Sequence, residues 1–418
     1  MHNTTEAENI FPYSIPKNWQ WTTLEKIAKW GSGGTPSRKI PEYYQGNIAW
    51  LKTGELSNNY IFETEEHITI KAVKNSNAKI FPKNSIVMAM YGATIGKVGI
   101  LGIESSMNQA CACAVCNENI YFKFLFHYLI SQKENFVGKA KGGAQPNISQ
   151  EIIKKFLIPL PPIDEQKRIV ARLESLFSKL DSAKEKVQTV LDGYELRRSA
   201  ILHKAFTGEL SKKFRAENNL SLDDWQEKKY SELGESKLGK MLDKNKNKGL
   251  PVKYLRNINV RWFDFDLDNL LEIMATTDEI KKLDIKQGDL LICEGGEPGR
   301  CAVWKKKNNK FIFQKALHRF RAGEKILSDF LAYYFFYLTK NGMLENFFTG
   351  TTIKHLTGKS LAKLPINLPT IAEQKEIVRV LDSLLVKEQR TKDLAENVLL
   401  EIDLLKKSIL ARAFRGEL

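Results

Sequence analysis

IDEQKRIVARLESLF, residues 163–177, returns as IAEQKEIVRVLDSLL, residues 371–385, and ILHKAFTGEL, residues 201–210, returns as ILARAFRGEL, residues 409–418. Both matches share an offset of 208 residues, and a gapless alignment of 163–210 with 371–418 leaves 21 of 48 positions identical. A fixed-period match of this kind is the mark of an internal repeat. Within each copy the apolar residues step by four and three: Ile169, Leu173, Leu176, Leu180, Val187, Val190 and Tyr194, then Ile377, Leu381, Leu384, Val398, Ile402, Leu405 and Ile409. That spacing puts a narrow apolar seam along one side of a helix. Pro161-Pro162 and Pro369 mark the starts, where a missing N–H costs nothing, and Gly208 and Gly416 mark the ends. About 43 helical residues make a rod of about 60–65 Å, too apolar on one side to stand alone. Either each seam packs on its own globular domain, or the two copies pack on each other. Arg197, and Glu388 with Thr391, interrupt the seam, either fixing register or facing another subunit.

Working outward, the repeat divides the chain into residues 1–160, a first helix 161–210, residues 211–368 and a second helix 369–418. The two longer segments share landmarks in the same order. Asn18-Trp19-Gln20 answers Asp224-Trp225-Gln226, NSIVMAMYGATIGKVGI from Asn84 answers GDLLICEGGEPGRCAVW from Gly288, and LIPLP from Leu157 answers PINLP from Pro365. Short β-branched runs such as SIVMAM and DLLICE mix with aromatic helical stretches such as YFKFLFHYLI and DFLAYYFFYL, which predicts an α+β fold with those aromatics in the core.

The chain carries 64 Lys and Arg against 49 Asp and Glu in 418 residues, a formal charge of +15 and a pI near 9.3. Such a balance favours a polyanionic partner, nucleic acid before an anionic membrane. No apolar run approaches the roughly 20 residues that span a bilayer, and MHNTTEAENI has no signal-peptide pattern, so a cytoplasmic protein is expected. Glycine-rich and polar loops carry the residue types that hold phosphates and base edges. The candidates are Ser32, Thr35, Arg38, Lys39, Lys52, Tyr91, Lys97, Lys141 and Gln145 in the first domain, and Lys240, Lys244, Arg256, Asn257, Arg261, Arg300 and Lys354 in the second. Lys97 and Arg300 each follow a glycine, Gly96 and Gly299, and are read as matched phosphate contacts. Glu294 and Glu297 near the second turn either accept from cytosine N4 or point elsewhere.

Several catalytic motifs fail on inspection. Gly92 to Lys97 is one residue short of a phosphate-binding loop and continues with Val98 rather than Ser or Thr; Gly358-Lys359-Ser360 has Ile353 where the opening glycine belongs. No Asp-Pro-Pro-Tyr or Asn-Pro-Pro-Phe signature of an amino-methyltransferase is present. Cys111, Cys113 and Cys116 lack the second pair that zinc needs and read as a buried strand. No catalytic centre and no metal site are expected. The rivals to DNA recognition are a basic coiled-coil scaffold for proteins, separable by a mobility shift at moderate salt, and a self-contained nuclease, separable by a cofactor-free cleavage assay.

The duplicated P-x-I-x-E-Q-K-x-I-V-x-x-L, at Pro161 to Leu173 and Pro369 to Leu381, the closing A-F-x-G-E-L, and Ile15-Pro16-Lys17-Asn18-Trp19 together resemble the specificity subunits of type I restriction-modification systems along the whole chain. The resemblance implies two target recognition domains, each reading one part of a split, asymmetric DNA sequence. It also implies that the two repeated helices pair antiparallel as a spacer with pseudo-two-fold symmetry, and dock two methyltransferase subunits. It places S-adenosylmethionine, ATP and Mg on partner subunits, adds a restriction and translocation subunit, and leaves this chain without a cofactor.

Overall fold

The computed structural model describes residues 11–142, 146–243, 247–307 and 311–418. Contacts divide the chain into two units, Met1–Val187 with Asn397–Leu418, and Gln188–Glu396. Both divisions fall inside helices.

In the first unit, Gln20–Thr23 pairs antiparallel with Leu157–Leu160, so the domain's first strand closes on its last. Five strands then form a sheet in the order Ala28–Ser32, Cys111–Cys116, Ile86–Ala89, Val98–Leu101, Tyr60–Ile61, antiparallel except for the last pair. A smaller sheet centres on Ile48–Leu51, antiparallel to Glu66–Ile68 and parallel to Ser106–Met107. SIVMAM lacks a polar alternation because both sheet faces are covered. Ile86 and Met88 meet the helix Phe122–Ser131 on one side, while Val87 and Ala89 pack with Leu51 and Met107 on the other.

The second unit has the same plan. Gln226–Lys229 pairs antiparallel with Pro365–Leu368. The larger sheet runs Gly234–Leu238, Leu317–Ala322, Leu290–Cys293, Cys301–Val303, and the smaller one centres on Leu250–Leu255, antiparallel to Leu271–Ala275 and parallel to Phe311–Phe313. Leu290 and Ile292 face the aromatic helix Ser328–Lys340, and Leu291 and Cys293 face the smaller core.

The E-Q-K motif has a specific job at each helix start. Gln166, fully buried, donates to the carbonyls of Asn119 and Pro161 at 2.9 Å and accepts from the Tyr121 N–H at 2.8 Å. Gln374 does the same with Lys325, Pro369 and Leu327. One amide thereby ties the helix to the loop ahead of each aromatic helix. The glycine ends are equally matched: Gly208 and Gly416 sit at φ +78° and +75°, where other residues are strained. A Cβ on Gly416 would lie 2.4 Å from Pro16 Cγ, which places the last residues beside the start of the first domain.

The two copies differ in continuity. Ile371–Ala413 is one unbroken helix of 43 residues, whereas the first copy, expected to be equally long, divides at Gly193 into Ile163–Asp192 and Tyr194–Phe206. Glycine is a weak helix former, and the corresponding residue in the second copy is Glu401. Arg197 lies over the bare glycine, with Nη1 2.6 Å from where a Cβ would be. It donates to the Val190 carbonyl at 3.0 Å and to Glu388 at 2.9 Å. Two of the three polar interruptions of the seam, Arg197 and Glu388, thus meet each other, while the Thr391 hydroxyl donates to the Lys387 carbonyl of its own helix.

The two ends of the seam are buried in the domain cores. Ile169 and Leu173 are buried in the first domain's core together with Leu410, Ala413 and Phe414 from the other helix. Ile377 and Leu381 are buried in the second domain's core with Leu202, Ala205 and Phe206. Farther along, helix meets helix: within the first unit Asp181 pairs with Lys406 and Lys184 with Asp403 at 2.9 Å, and within the second Tyr194 donates to Gln389 at 2.6 Å. In each unit one residue number rises as its partner's falls. Tyr194 and Ile402 are buried, and Leu176, Leu180, Val187, Leu384 and Ile409 are half-buried. Val190, Val398 and Leu405 depart from the expected seam: they are 38%, 38% and 50% exposed.

Candidate nucleic-acid interface

The stretch Gly92 to Lys97 is a hairpin turn between the antiparallel strands Ile86–Ala89 and Val98–Leu101, with no helix following it. Gly92 and Gly96, at φ +64° and +76°, let the turn close, and the Gly92 N–H donates to Pro146 at 2.8 Å. Tyr91 pairs with Asn147, which pairs in turn with Lys141. Tyr91, Lys97 and Lys141 therefore sit on adjoining loops. Tyr91 and Lys141 are exposed, Lys97 half-buried, and neither lysine has an ion-pair partner among the described residues. Gln145 lies outside the described residues.

Gly33 and Gly34 thread between other backbones: a Cβ would come within 2.2 Å of the Met107 carbonyl oxygen or 2.3 Å of Asn77 C. Their close passage makes a polar cleft that brings Ser32 and Thr35 together with Asn77, Lys79 and Gln109, the Thr35 hydroxyl donating to Gln109 Oε1. Asn77, Lys79 and Gln109 carry no local sequence signal; only the sheet topology collects them. Arg38 and Lys52 are paired with acids. Arg38 makes two bonds to Glu66, at 2.6 and 3.1 Å, beneath a guanidinium stacked 4.0 Å from the Tyr44 ring, and Lys52 bridges Glu65 and Glu66 at 2.7 and 3.1 Å. The Arg38 hydrogen bonds hold the Glu66 carboxyl below its usual range. Lys39 is exposed beside them.

In the second domain the cations are more heavily engaged. Lys240, expected at the surface, is buried and ion-paired with Glu279, so it supports the fold. Arg300 occupies the position equivalent to Lys97, after Gly299 at φ +92°, but its side chain is only 15% exposed. It donates to Glu297 at 2.6 Å and to the Asn257 carbonyl at 2.9 Å, so the matched-phosphate reading does not carry over. Glu297 also accepts from Trp262 Nε1 at 2.8 Å, which answers where that acid points. Arg256 donates to the Asn269 carbonyl at 2.7 Å. Arg261 pairs with Asp266 at 3.2 Å and Lys354 with Glu345 at 2.9 Å, both remaining half exposed. Lys244 lies outside the described residues.

The cysteines sit in the sheets: burial pushes the Cys111 and Cys116 thiols up to about 12 and Cys293 up to about 11, the wrong direction for a nucleophile. Among the described residues no group of His, Cys, Asp and Glu is placed to hold a metal ion, and no helix is long and apolar enough to cross a membrane. His127 and His318 are core residues, each pulled by burial down to about 4. In the unfolded chain they return to about 6.5, so the unfolded state takes up these protons first as the pH falls. The stabilisation from the neutral rings is whole above pH 6.5 and drains away towards pH 4, about 2 kcal/mol for each by pH 5. Urea midpoints at pH 7 and 5 should show a smaller acid loss in His127→Phe than in the parent; equal losses would contradict a neutral, buried His127.

A family model described as the type I restriction modification DNA specificity domain matches twice, at residues 16–191 and 222–398. The chain is 27% identical over 422 aligned residues to the type I restriction enzyme EcoKI specificity subunit of Escherichia coli (strain K12), covering 97% of this chain and 90% of that one. It is 31% identical over 172 residues to the EcoR124I/EcoR124II specificity subunit of Escherichia coli, a match spanning 40% of this chain and 43% of that one. The crystal structure of the HsdS subunit from Thermoanaerobacter tengcongensis shares its fold, with a TM-score of 0.68 at 19% identity over 97% of this chain and 99% of that one. Two matched domains, whose larger sheets share the order of four strands and which carry the same glutamine joint, complete the case: the chain belongs to the specificity subunits of type I restriction-modification systems.

Proposed function

We propose that the chain reads one split, asymmetric DNA sequence. Residues 1–160 form the recognition domain for one half and residues 211–368 the domain for the other. The helices 161–210 and 369–418, descended with their domains from one duplicated unit, pair as an antiparallel coiled coil that fixes the gap between the halves. The observation that carries this reading is the contrast between the copies: the order and directions of the shared strands and the Gln166 and Gln374 joints agree, while the loops bearing the candidate readers differ in residues and in which cations are paired with acids. Two copies of one scaffold with unlike surfaces suit two unlike half-sites.

The helices also dock two adenine methyltransferase subunits. Large apolar side chains left open on them support this: Leu196, Val386 and Leu394 in the second unit, Leu400 and Leu404 in the first, all more than half exposed. S-adenosylmethionine belongs to those partners, and ATP with Mg to a restriction and translocation subunit, so this chain acts in the cytoplasm as a recognition component without chemistry of its own. Mapping methylated adenines in DNA from cells that carry the chain and its methyltransferase should yield one split motif, which vanishes when the chain is deleted. Methylation without such a motif would defeat the reading.

A further inference from the structure

The repeat supplies an internal control for surface charge. In the first unit Lys133, Lys139, Lys155 and Arg415 line one cavity of about 890 Å³ whose apolar wall includes Tyr13, Tyr128 and Phe414. All four are exposed, and none has an ion-pair partner among the described residues. The one acid at the rim, Glu134, is already bonded to Lys407 at 2.8 Å. The cluster continues into the candidate interface. Lys133 packs under the hairpin turn, its Cγ 2.9 Å from where a Cβ on Gly96 would stand, and Lys139 leads directly to Lys141.

The second copy differs on this face. Counting back 208 residues, Arg415 corresponds to Thr207 and Lys407 to Ser199. The shared glutamine contacts align Tyr121 with Leu327, and so Lys133 with Thr339 and Ser131 with Tyr337. Tyr337 fills the corresponding space, its ring stacked 5.1 Å from Phe206. Lys155 is matched by the exposed Lys363, but Lys133 and Arg415 have no basic counterpart, so the groove with its full set of cations is a feature of one copy.

We propose that this face of the first unit grips the sugar–phosphate backbone of duplex DNA beyond the base pairs that residues 1–160 read, and that the grip is particular to that side of the target. The inference rests on the DNA-reading role proposed above. Unpaired, flexible lysines suit phosphates, which need charge and no fixed geometry, and the face adjoins Lys97 and Lys141, its rim acid Glu134 being taken up by Lys407.

The test uses the full chain assembled with its methyltransferase. The triple variant Lys133→Gln, Lys139→Gln, Lys155→Gln should flatten the plot of log affinity against log salt by roughly two to three, about 0.9 for each lost phosphate contact. Its hydroxyl-radical footprint should shorten on the first-domain side only, with the methylated motif unchanged. The same positions changed to Arg should keep the parental slope, which separates charge from fold. An unaltered slope and footprint in the glutamine variant, a changed motif, or failure of the arginine variant to restore the slope would overturn the proposal. If the parent complex methylates no split motif, the recognition role itself falls; if it does and the variant matches the parent, only the grip falls.

Discussion

Glu373→Ala is expected to destabilise the unit Gln188–Glu396 by about 3–5 kcal/mol, the cost of stranding a buried charge. Glu373 is 1% exposed and its partner Arg215 10%. One carboxylate oxygen accepts from Arg215 and from the Ser211 hydroxyl, both at 2.7 Å, and the other from Trp225 Nε1 at 3.0 Å. Arg215 also donates to the Gly208 carbonyl at 2.7 Å. This cluster pins the end of the first repeat, the entry into the second domain and the start of the second helix to one another. Truncation leaves the guanidinium dry and uncompensated, whereas Glu373→Leu with Arg215→Met removes both charges and should recover most of the loss. The counterpart of Glu373 in the first copy, Glu165, pairs with Arg168 at the surface, so Glu165→Ala should cost at most about 1 kcal/mol. Denaturant unfolding followed by indole fluorescence measures all three; a Glu373→Ala loss below that of Glu165→Ala would refute the buried-cluster argument.

Lengthening both spacer helices by four residues should move the two methylated half-sites apart. Four helical residues add about 6 Å, close to two base pairs at about 3.4 Å each. Made in one helix alone, the insertion would set Asp181 and Lys184 out of step with Lys406 and Asp403, and methylation should weaken or vanish. Made in both, it should preserve pairing and give a motif whose halves are unchanged and whose gap is longer by one or two base pairs. Methylome sequencing reads the result directly. A parental gap in the doubly lengthened variant would show that the helices do not set the spacing.

The helices and the order of the domains were legible because they rest on local spacing: an apolar step of four and three, prolines before, glycines after. The interruption at Gly193 was less so, since a single glycine inside a strong periodic pattern keeps helical bonds, here to the Thr189 carbonyl and from the Arg197 N–H, and the Arg197 side chain reaches the Val190 carbonyl only in the folded chain. The interface was the least legible part. Arg and Lys were chosen by type and loop context, and neither reveals whether an acid from elsewhere in the fold waits beside them. Arg300 is met by Glu297 and Lys240 by Glu279, 39 residues away, while Lys133 and Lys155, which sit in helical and strand-edge sequence without glycines, stay unpaired. Charge availability is a tertiary property, and the repeat exposed it only when the two copies were compared.

The glutamine joint has a bearing on how such a protein changes over generations. The side-chain amides of Gln166 and Gln374 bond their domains through backbone groups, one carbonyl and one N–H each, with a second carbonyl from the proline at the helix start, and backbone is the part of a neighbour that mutation leaves alone. A recognition domain that keeps its strand order can therefore alter many of its side chains and keep these bonds to the same helix. The repeated joint leaves the reading surface free to change, because its attachment does not read that surface.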